Sequence, residues 1–164
     1  MSNFICKIAT KEEILKELDY EISIHPYDNN WLKWKEEAAK RKDGERITYI
    51  GVLDGKIITE ATAALTKESC QNSDNLVDED TVYLMAFRTK KDYMGQGYFS
   101  RLFNYMINDL KNRNYKKATI GVEPSELTNR EIYSHYGFND FIKKDFEIEP
   151  DGSKVEVDYY GKYL

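Results

Sequence analysis

Two short segments carry the residue types best suited to chemistry, and the first is a glycine-containing loop over residues 92–100. Gly95 and Gly97 are separated by one residue and precede a strongly amphipathic helical pattern. Glycine lets the main chain approach a ligand closely, and the first turn of a helix presents unpaired N–H groups and a positive dipole end. The combination predicts a phosphate or pyrophosphate site, with a plain strand-to-helix turn as the alternative.

The loop matches neither of two common phosphate-binding motifs. A P-loop requires Gly-Lys-Ser/Thr after its first glycine, and the sequence lacks that run. The dinucleotide fingerprint requires a third Gly or Ala where Ser100 stands, and an acidic residue about 20 positions further on. Glu123, at the end of the next strand, comes too late to serve. Both motifs are therefore excluded.

The second segment is a short helical stretch that contains Asn129 and Tyr133. On a helix these two residues lie one turn apart on the same face. The Tyr133 hydroxyl is a candidate proton donor if it faces a cleft. Packing of the ring in the core is the alternative.

Local signals place both segments on a framework of strands and helices. Thr10 with Glu13, and Thr128 with Glu131, have the spacing of a capping box at a helix start. The sequence predicts seven strands, over residues 4–8, 47–53, 57–65, 81–87, 117–122, 138–148 and 154–160. It also predicts four helices: the first starts at residue 10, the second covers 31–42, the third covers 99–110, and the last ends at residue 137.

The order of these elements favours an α/β fold with a mixed, mostly antiparallel sheet. Asp54-Gly55 predicts a hairpin between the strands over 47–53 and 57–65. The strand–helix–strand run over 81–122 is expected to be a right-handed crossover between parallel strands. The sheet then has a central parallel β-α-β pair flanked by helices. Residues 67–80 read as a polar loop within one domain over 1–164.

Taken together, the glycine loop and a last helix that ends in Tyr-x-x-x-Gly-Phe resemble the GNAT family of N-acetyltransferases. In that family the pattern Gln/Arg-x-x-Gly-x-Gly/Ala cradles the pyrophosphate of coenzyme A. Met94, Gly97 and Phe99 fall on its three defined positions, so Met94 and Phe99 depart from it. The resemblance implies coenzyme A contacts, mainly through main-chain N–H groups, at Met94, Gly95, Gln96, Gly97, Tyr98, Phe99 and Ser100.

The resemblance also implies roles on the strand before the loop and on the last helix. Main-chain groups of Phe87 and Thr89 are expected to face the pantetheine arm, with the Phe87 N–H near the acetyl carbonyl. Tyr133 aligns with the family's tyrosine that protonates the leaving thiolate. The family's pantetheine-binding asparagine aligns with Glu126, and Asn129 is the nearest asparagine in this chain.

These roles predict an enzyme that moves the acetyl group of acetyl-CoA to a primary amine of a small molecule or peptide by direct attack. Glu60, Glu79 and Asp80 are candidates for the general base, with a solvated surface charge as the alternative for each. Trp31 and Trp34, three residues apart, either line the acceptor site or pack as an ordinary helix face. A non-catalytic module that binds or senses coenzyme A, and an interaction domain without a cofactor, are the alternatives.

Composition excludes several other functions. Twenty-four basic against 29 acidic residues give a net charge of −5, whereas nucleic-acid-binding proteins usually carry a basic surplus. The chain has two cysteines, Cys6 and Cys70, and two histidines that lie far apart in sequence, so none of them forms a metal-binding sequence motif. No apolar run approaches the ~20 residues of a membrane span, and the N-terminus lacks a secretory pattern. We therefore expect a cytoplasmic monomer or homodimer without a metal, nucleic-acid or membrane partner.

Overall fold

The computed structural model describes residues 2–164, which form seven strands, four α-helices and two short 3-10 helices. The strands are β1 (Phe4–Ile8), β2 (Arg46–Leu53), β3 (Lys56–Ala64), β4 (Thr81–Thr89), β5 (Lys117–Val122), β6 (Asp140–Ile148) and β7 (Lys154–Tyr163). The α-helices are α1 (Lys11–Ile24), α2 (Asn30–Lys40), α3 (Tyr98–Asn112) and α4 (Leu127–His135), and the 3-10 helices are Lys67–Ser69 and Lys91–Tyr93. Within residues 2–164, every helix is too short or too polar to cross a membrane.

The strands form one sheet in the order β1-β2-β3-β4-β5-β7-β6. Five of its six neighbouring pairs are antiparallel, and β4 with β5 is the parallel pair. The helix α3 lies between β4 and β5 along the chain. This arrangement confirms the mixed, mostly antiparallel sheet with a central parallel β-α-β pair.

The helix α3 covers one face of the sheet with the apolar stripe that its sequence predicts. Its residues Leu102, Phe103, Met106 and Leu110 are buried in the main core. Side chains alternate along a strand, so Val82 and Leu84 of β4 enter this core whereas Tyr83 enters a second cluster on the other face. Tyr159 of β7 joins that second cluster.

An irregularity in β4 shapes the region around the predicted site. The parallel register between β4 and β5 ends at Leu84 opposite Ile120, although both strands continue. Ala86 has a φ of 56°, and the register with β3 shifts between Glu60 and Thr62 at the same level. A bulge of this kind bends its strand. Beyond Leu84 the two parallel strands therefore separate and leave a slot.

Local signals located several element ends correctly. Glu13 N–H donates to Thr10 Oγ1 at 3.2 Å and Thr10 N–H donates to Glu13 Oε1 at 3.0 Å, which confirms the first capping box. Asp54 and Gly55 have φ of 48° and 84°, as a type I′ turn requires. Gly137, just after α4, has a φ of 98°.

The second predicted capping box, at Thr128 and Glu131, is wrong. Arg130 N–H donates to the Glu126 carbonyl at 3.0 Å, so Glu126 occupies the N-cap position of a helix that begins at Leu127. Thr128 is then inside the first turn, and no side chain caps this end of α4. The strands β4 and β7 also run past the predicted ends, to Thr89 and Tyr163.

Candidate active site

The glycine loop leads directly into the first turn of α3. Gly95 and Gly97 have φ of 72° and 85°, a region that glycine adopts without strain. A Cβ built on either would meet nothing within 4 Å, so the surface above the loop is open. The first hydrogen bond of α3 runs from Arg101 N–H to the Gly97 carbonyl at 3.2 Å, which leaves the N–H groups of residues 98–100 without an intrahelical acceptor. Open space, unpaired donors and a positive helix end fit a diphosphate.

The polar side chains of Gln96 and Ser100 form hydrogen bonds within the protein, whereas Met94 is exposed. Met94 is 61% exposed, and the Gln96 amide donates to the Asp92 carbonyl at 3.0 Å. The Ser100 and Tyr136 hydroxyls lie 2.6 Å apart. The Met94 N–H already donates to the Lys91 carbonyl at 3.3 Å, so it is engaged within the loop, and a diphosphate contact at Gln96 depends mainly on its main chain.

Phe99, which departs from the family motif, turns its ring toward the core. Its ring centroid lies 5.3 Å from that of Phe87 and 6.2 Å from that of Phe103. Tyr98 packs against Phe4 with 4.8 Å between ring centroids. Both rings leave the space above the glycines open. The large side chain at position 99 is thus compatible with main-chain binding of an anion.

Phe87 and Thr89 lie on β4 just beyond the bulge, where β4 no longer pairs with β5. The Thr89 hydroxyl lies 2.9 Å from the Thr59 hydroxyl, which ties the end of β4 to β3. The main chain of this stretch therefore borders the slot and continues into the glycine loop.

Tyr133, on α4, lines a cavity of about 180 Å³ together with Gly121 and Asn129. Burial, with the negative charge of Glu126 as a smaller cause, raises the pKa of Tyr133 to about 12. The phenol therefore keeps its proton at neutral pH. A protonated phenol that faces a cavity is suited to act as a general acid.

Asn129 lies one turn before Tyr133 on the same helix and lines the same cavity. Its side-chain amide donates to the carboxylate of Glu126. This hydrogen bond uses one amide hydrogen and leaves the second, with the carbonyl oxygen, for a ligand. Asn129 and Tyr133 are thus brought together as their helical spacing predicts.

A larger cleft, of about 940 Å³, lies between the helices α1 and α2 and the sheet. Trp31 and Trp34 line it, and their ring centroids lie 4.9 Å apart in an edge-on arrangement. His25 stacks on Trp31 at 5.1 Å, and the Arg88 guanidinium carbon lies 5.1 Å from the Trp31 centroid. The two tryptophans therefore both pack against neighbours and form one wall of the cleft.

The three base candidates from the sequence are poorly placed. Glu60 lines the cleft but is 5% exposed and forms a salt bridge with Arg88. Glu79 and Asp80 are exposed and precede the first residue of β4. Phe87 is seven positions after Asp80 along extended chain, which corresponds to roughly 23 Å.

A carboxylate that the sequence did not single out, Glu147 of β6, lies where the two cavities meet. Tyr83, Glu147 and Glu149 line both cavities. Tyr159 Oη donates to Glu147 Oε2 at 2.7 Å, and Tyr83 Oη donates to the same oxygen at 3.2 Å. In the sequence, Glu147 is one of several charged residues on this strand, and no local pattern distinguishes it.

A covalent route through cysteine has no support in the geometry. Cys6 and Cys70 are free thiols. Burial raises the pKa of Cys6, and it raises the pKa of Cys70 to about 11. Both side chains are therefore thiols at neutral pH, and the thiol is a poor nucleophile. No cluster of three or more His, Cys, Asp or Glu suited to a metal ion occurs in residues 2–164.

Comparisons with known proteins agree with this geometry. The sequence model of the acetyltransferase (GNAT) family matches residues 8–138. The [ribosomal protein bS18]-alanine N-acetyltransferase of Haemophilus ducreyi is 29% identical over 142 residues, which are 84% of this chain and 94% of that relative. The solved ribosomal-protein-S18-alanine N-acetyltransferase of Escherichia coli has a TM-score of 0.71 at 16% identity, covering 99% of this chain and 94% of its own. Arabidopsis thaliana NAA60 in complex with acetyl-CoA has a TM-score of 0.67 at 12% identity and covers 99% of both chains.

Proposed function

The chain belongs to the acetyltransferase (GNAT) family, and on that premise we propose that its acceptor is the α-amine at the N-terminus of a protein or peptide. The chain is an acetyl-CoA-dependent N-acetyltransferase. The non-catalytic module and the cofactor-free interaction domain are thereby set aside. The observation that carries the proposal is the junction at Tyr83 and Glu147 between the cavity of Tyr133 and the large cleft. Two substrates that enter from different sides would meet at this junction.

Acetyl-CoA would lie along the slot and the glycine loop. Main-chain N–H groups over residues 95–100 would hold its diphosphate, and Phe87, Thr89 and Asn129 would contact the pantetheine arm. The open surface above the glycines and the unpaired first turn of α3 support this placement. When bound, acetyl-CoA supplies an acetyl group activated as a thioester.

The residues around the slot would then assist transfer in two ways. The Phe87 N–H would donate to the acetyl carbonyl oxygen, where negative charge develops as the amine nitrogen bonds to carbon. Tyr133 would give its proton to the sulfur as the carbon–sulfur bond breaks, and would regain a proton from solvent. Holding both substrates at one junction removes most of the entropic barrier to their encounter.

Three observations favour an α-amine as the acceptor. An α-amine has a pKa of about 7.7–8.0 against about 10.4 for a lysine side chain, so far more of it is neutral at pH 7. The cleft of about 940 Å³ is at the upper end of the roughly 300–1,000 Å³ of small-molecule sites, which suits several residues of extended chain. The relative from Haemophilus ducreyi is named as an alanine N-acetyltransferase of a ribosomal protein.

The acceptor is tested by thiol release from acetyl-CoA with a set of peptides that differ in their first residue and each carry one internal lysine. The same peptides with a blocked N-terminus, and the polyamine spermidine, are the controls. We expect thiol release with free peptides only, and mass spectrometry should place the acetyl group on the α-amine. Transfer confined to spermidine or to the lysine, or no transfer to any peptide, would overturn the proposed acceptor.

A further inference from the structure

We propose that Glu147 is the general base that takes a proton from the acceptor amine. The inference rests on the proposed function, because it assumes that the amine reaches the junction of the two cavities. Glu147 lines the small cavity that contains Tyr133 and also lines the large cleft. A base in this position contacts the acceptor on one side and the reacting thioester on the other.

The hydrogen bonds of Glu147 leave one of its oxygens available for a proton. Tyr83 and Tyr159 both donate to Oε2, and within residues 2–164 no hydrogen bond engages Oε1. Glu147 is half-buried, and it forms no salt bridge in the described part of the chain. Glu60 differs from Glu147 because its Oε1 is paired with the Arg88 guanidinium and its side chain is almost fully buried. Because both phenols hold Oε2 of Glu147, they also fix the direction in which Oε1 points.

The polar loop before β4 fixes the main chain on both sides of Glu147. The Asn72 amide donates to the Phe146 carbonyl at 2.8 Å and to Tyr159 Oη at 3.1 Å. Ile148 N–H donates to Gln71 Oε1 at 2.8 Å, and Gln71 Nε2 donates back to the Ile148 carbonyl at 3.0 Å. The position of the base is therefore set by residues from three elements of the chain, as a site that must hold its geometry requires.

The proton balance of the proposed step is complete. The acceptor ammonium passes one proton to Glu147 Oε1, and the freed lone pair forms the nitrogen–carbon bond. The carbon–sulfur bond breaks with its electron pair on sulfur, and Tyr133 supplies the proton of the thiol. The second nitrogen proton leaves through water and restores Tyr133, while Glu147 releases its proton to solvent through the open cleft.

The direct test is Glu147→Gln, which keeps the shape of the side chain and an acceptor oxygen but removes the basic carboxylate. We expect kcat to fall by roughly 10²–10⁴-fold with no change in KM for acetyl-CoA. Without the base only the neutral amine can react, so the kcat/KM of the variant should keep rising with pH up to the pKa of the amine, whereas the wild-type enzyme should also use the protonated amine. The control is Glu156→Gln on β7, which is exposed, paired with Lys144 and outside both cavities. It should keep the wild-type rate.

A second variant keeps the proposal testable if Glu147→Gln fails to fold. Tyr159→Phe removes one of the two hydrogen bonds that hold Glu147 Oε2, so a Glu147 that acts as the base should lose its fixed direction, and kcat should fall while the KM for acetyl-CoA stays unchanged. A purely structural role of Tyr159 would lower the free energy of unfolding without this selective loss of kcat. A Glu147→Gln rate within about twofold of wild type, or an unchanged kcat in Tyr159→Phe, would overturn the proposal. Wild-type enzyme without peptide acetylation would instead refute the proposed acceptor.

Discussion

The ring of Tyr133 stands edge-on to the ring of Phe87, with 5.6 Å between centroids and 67° between planes. Phe87 follows the bulge of β4, and α4 carries Tyr133 beyond the end of β5. This contact joins α4 to β4 beyond the point where the pairing of β4 with β5 ends. The proposed acid and the proposed oxyanion donor are therefore held relative to each other by aromatic packing, which is worth about 0.5–1.5 kcal/mol beyond area burial.

Tyr133→Phe tests the role of the phenol. The ring and its packing remain, so we expect folding and acetyl-CoA binding to be retained while kcat falls by about 10²-fold or more. Because the pKa of Tyr133 is about 12, its proton is present across the neutral range, and the defect should not vary with pH there. Steady-state thiol release measures this, with Tyr105→Phe on the exposed side of α3 as the control. An unchanged kcat in Tyr133→Phe would remove the phenol from the mechanism.

Gly97→Ala tests the glycine loop, with Gly152→Ala as a matched control. Both glycines have a left-handed φ, 85° and 90°, and a Cβ on either meets nothing within 4 Å. Each substitution should therefore cost about 1–2 kcal/mol of backbone strain in chemical unfolding. Only Gly97→Ala adds a methyl group where the diphosphate would approach, so only this variant should bind acetyl-CoA more weakly, by about tenfold in calorimetric titration. Equal affinities for the two variants would place the diphosphate elsewhere.

Features set by neighbouring residues could be predicted from the sequence. Three such features depend on only a few nearby positions: the capping box at Thr10, the turn at Asp54-Gly55 and the apolar stripe of α3. The box at Thr128 failed because the helix begins at Leu127, two residues earlier than a cap at Thr128 would place it, so Glu126 holds the capping position. A spacing alone does not fix the residue at which a helix starts.

Features set by distant pairing could not be predicted. Glu147 lies on β6, which β7 separates from β5 in the sheet, yet the phenols of Tyr83 on β4 and Tyr159 on β7 both donate to its carboxylate. The side chains of Asn72 and Gln71 form hydrogen bonds with the main chain of Phe146 and Ile148, which lie more than 70 positions later in the sequence. The left-handed conformation of Ala86 could not be predicted from the sequence either, because alanine has no preference for that conformation.

Gly121→Ala tests the packing of the phenol of Tyr83 beside Glu147. A Cβ at position 121 would lie 2.7 Å from Tyr83 Oη and 2.7 Å from Val157 Cγ1, both in packed strands. We expect a loss of about 1–3 kcal/mol in the free energy of unfolding, together with a lower kcat. In the control, Gly161→Ala, the closest contact at 2.8 Å is the flexible end of Lys117, which can move aside. Equal stabilities of the two variants in urea unfolding would show that the Tyr83 site is not tightly packed.

Trp31→Ala tests the wall of the acceptor cleft. Removing the indole takes away a face of the cleft and the ring beneath Arg88. The KM for the peptide should rise by about tenfold, which is about 1.4 kcal/mol, and the KM for acetyl-CoA should stay unchanged. Tyr27→Ala removes an aromatic ring that is 99% exposed and outside the described cavities, so it should change neither constant. A peptide KM that stays at the wild-type value in Trp31→Ala would exclude this wall from acceptor binding.

The meeting of the two cavities at Tyr83 and Glu147 is tested most directly by initial rates with both substrates varied, combined with the intact mass of the enzyme after exposure to acetyl-CoA alone. Direct attack in a ternary complex predicts intersecting double-reciprocal lines and an enzyme of unchanged mass. Parallel lines, with an acetyl group on the enzyme that disappears when the amine is added, would contradict the account.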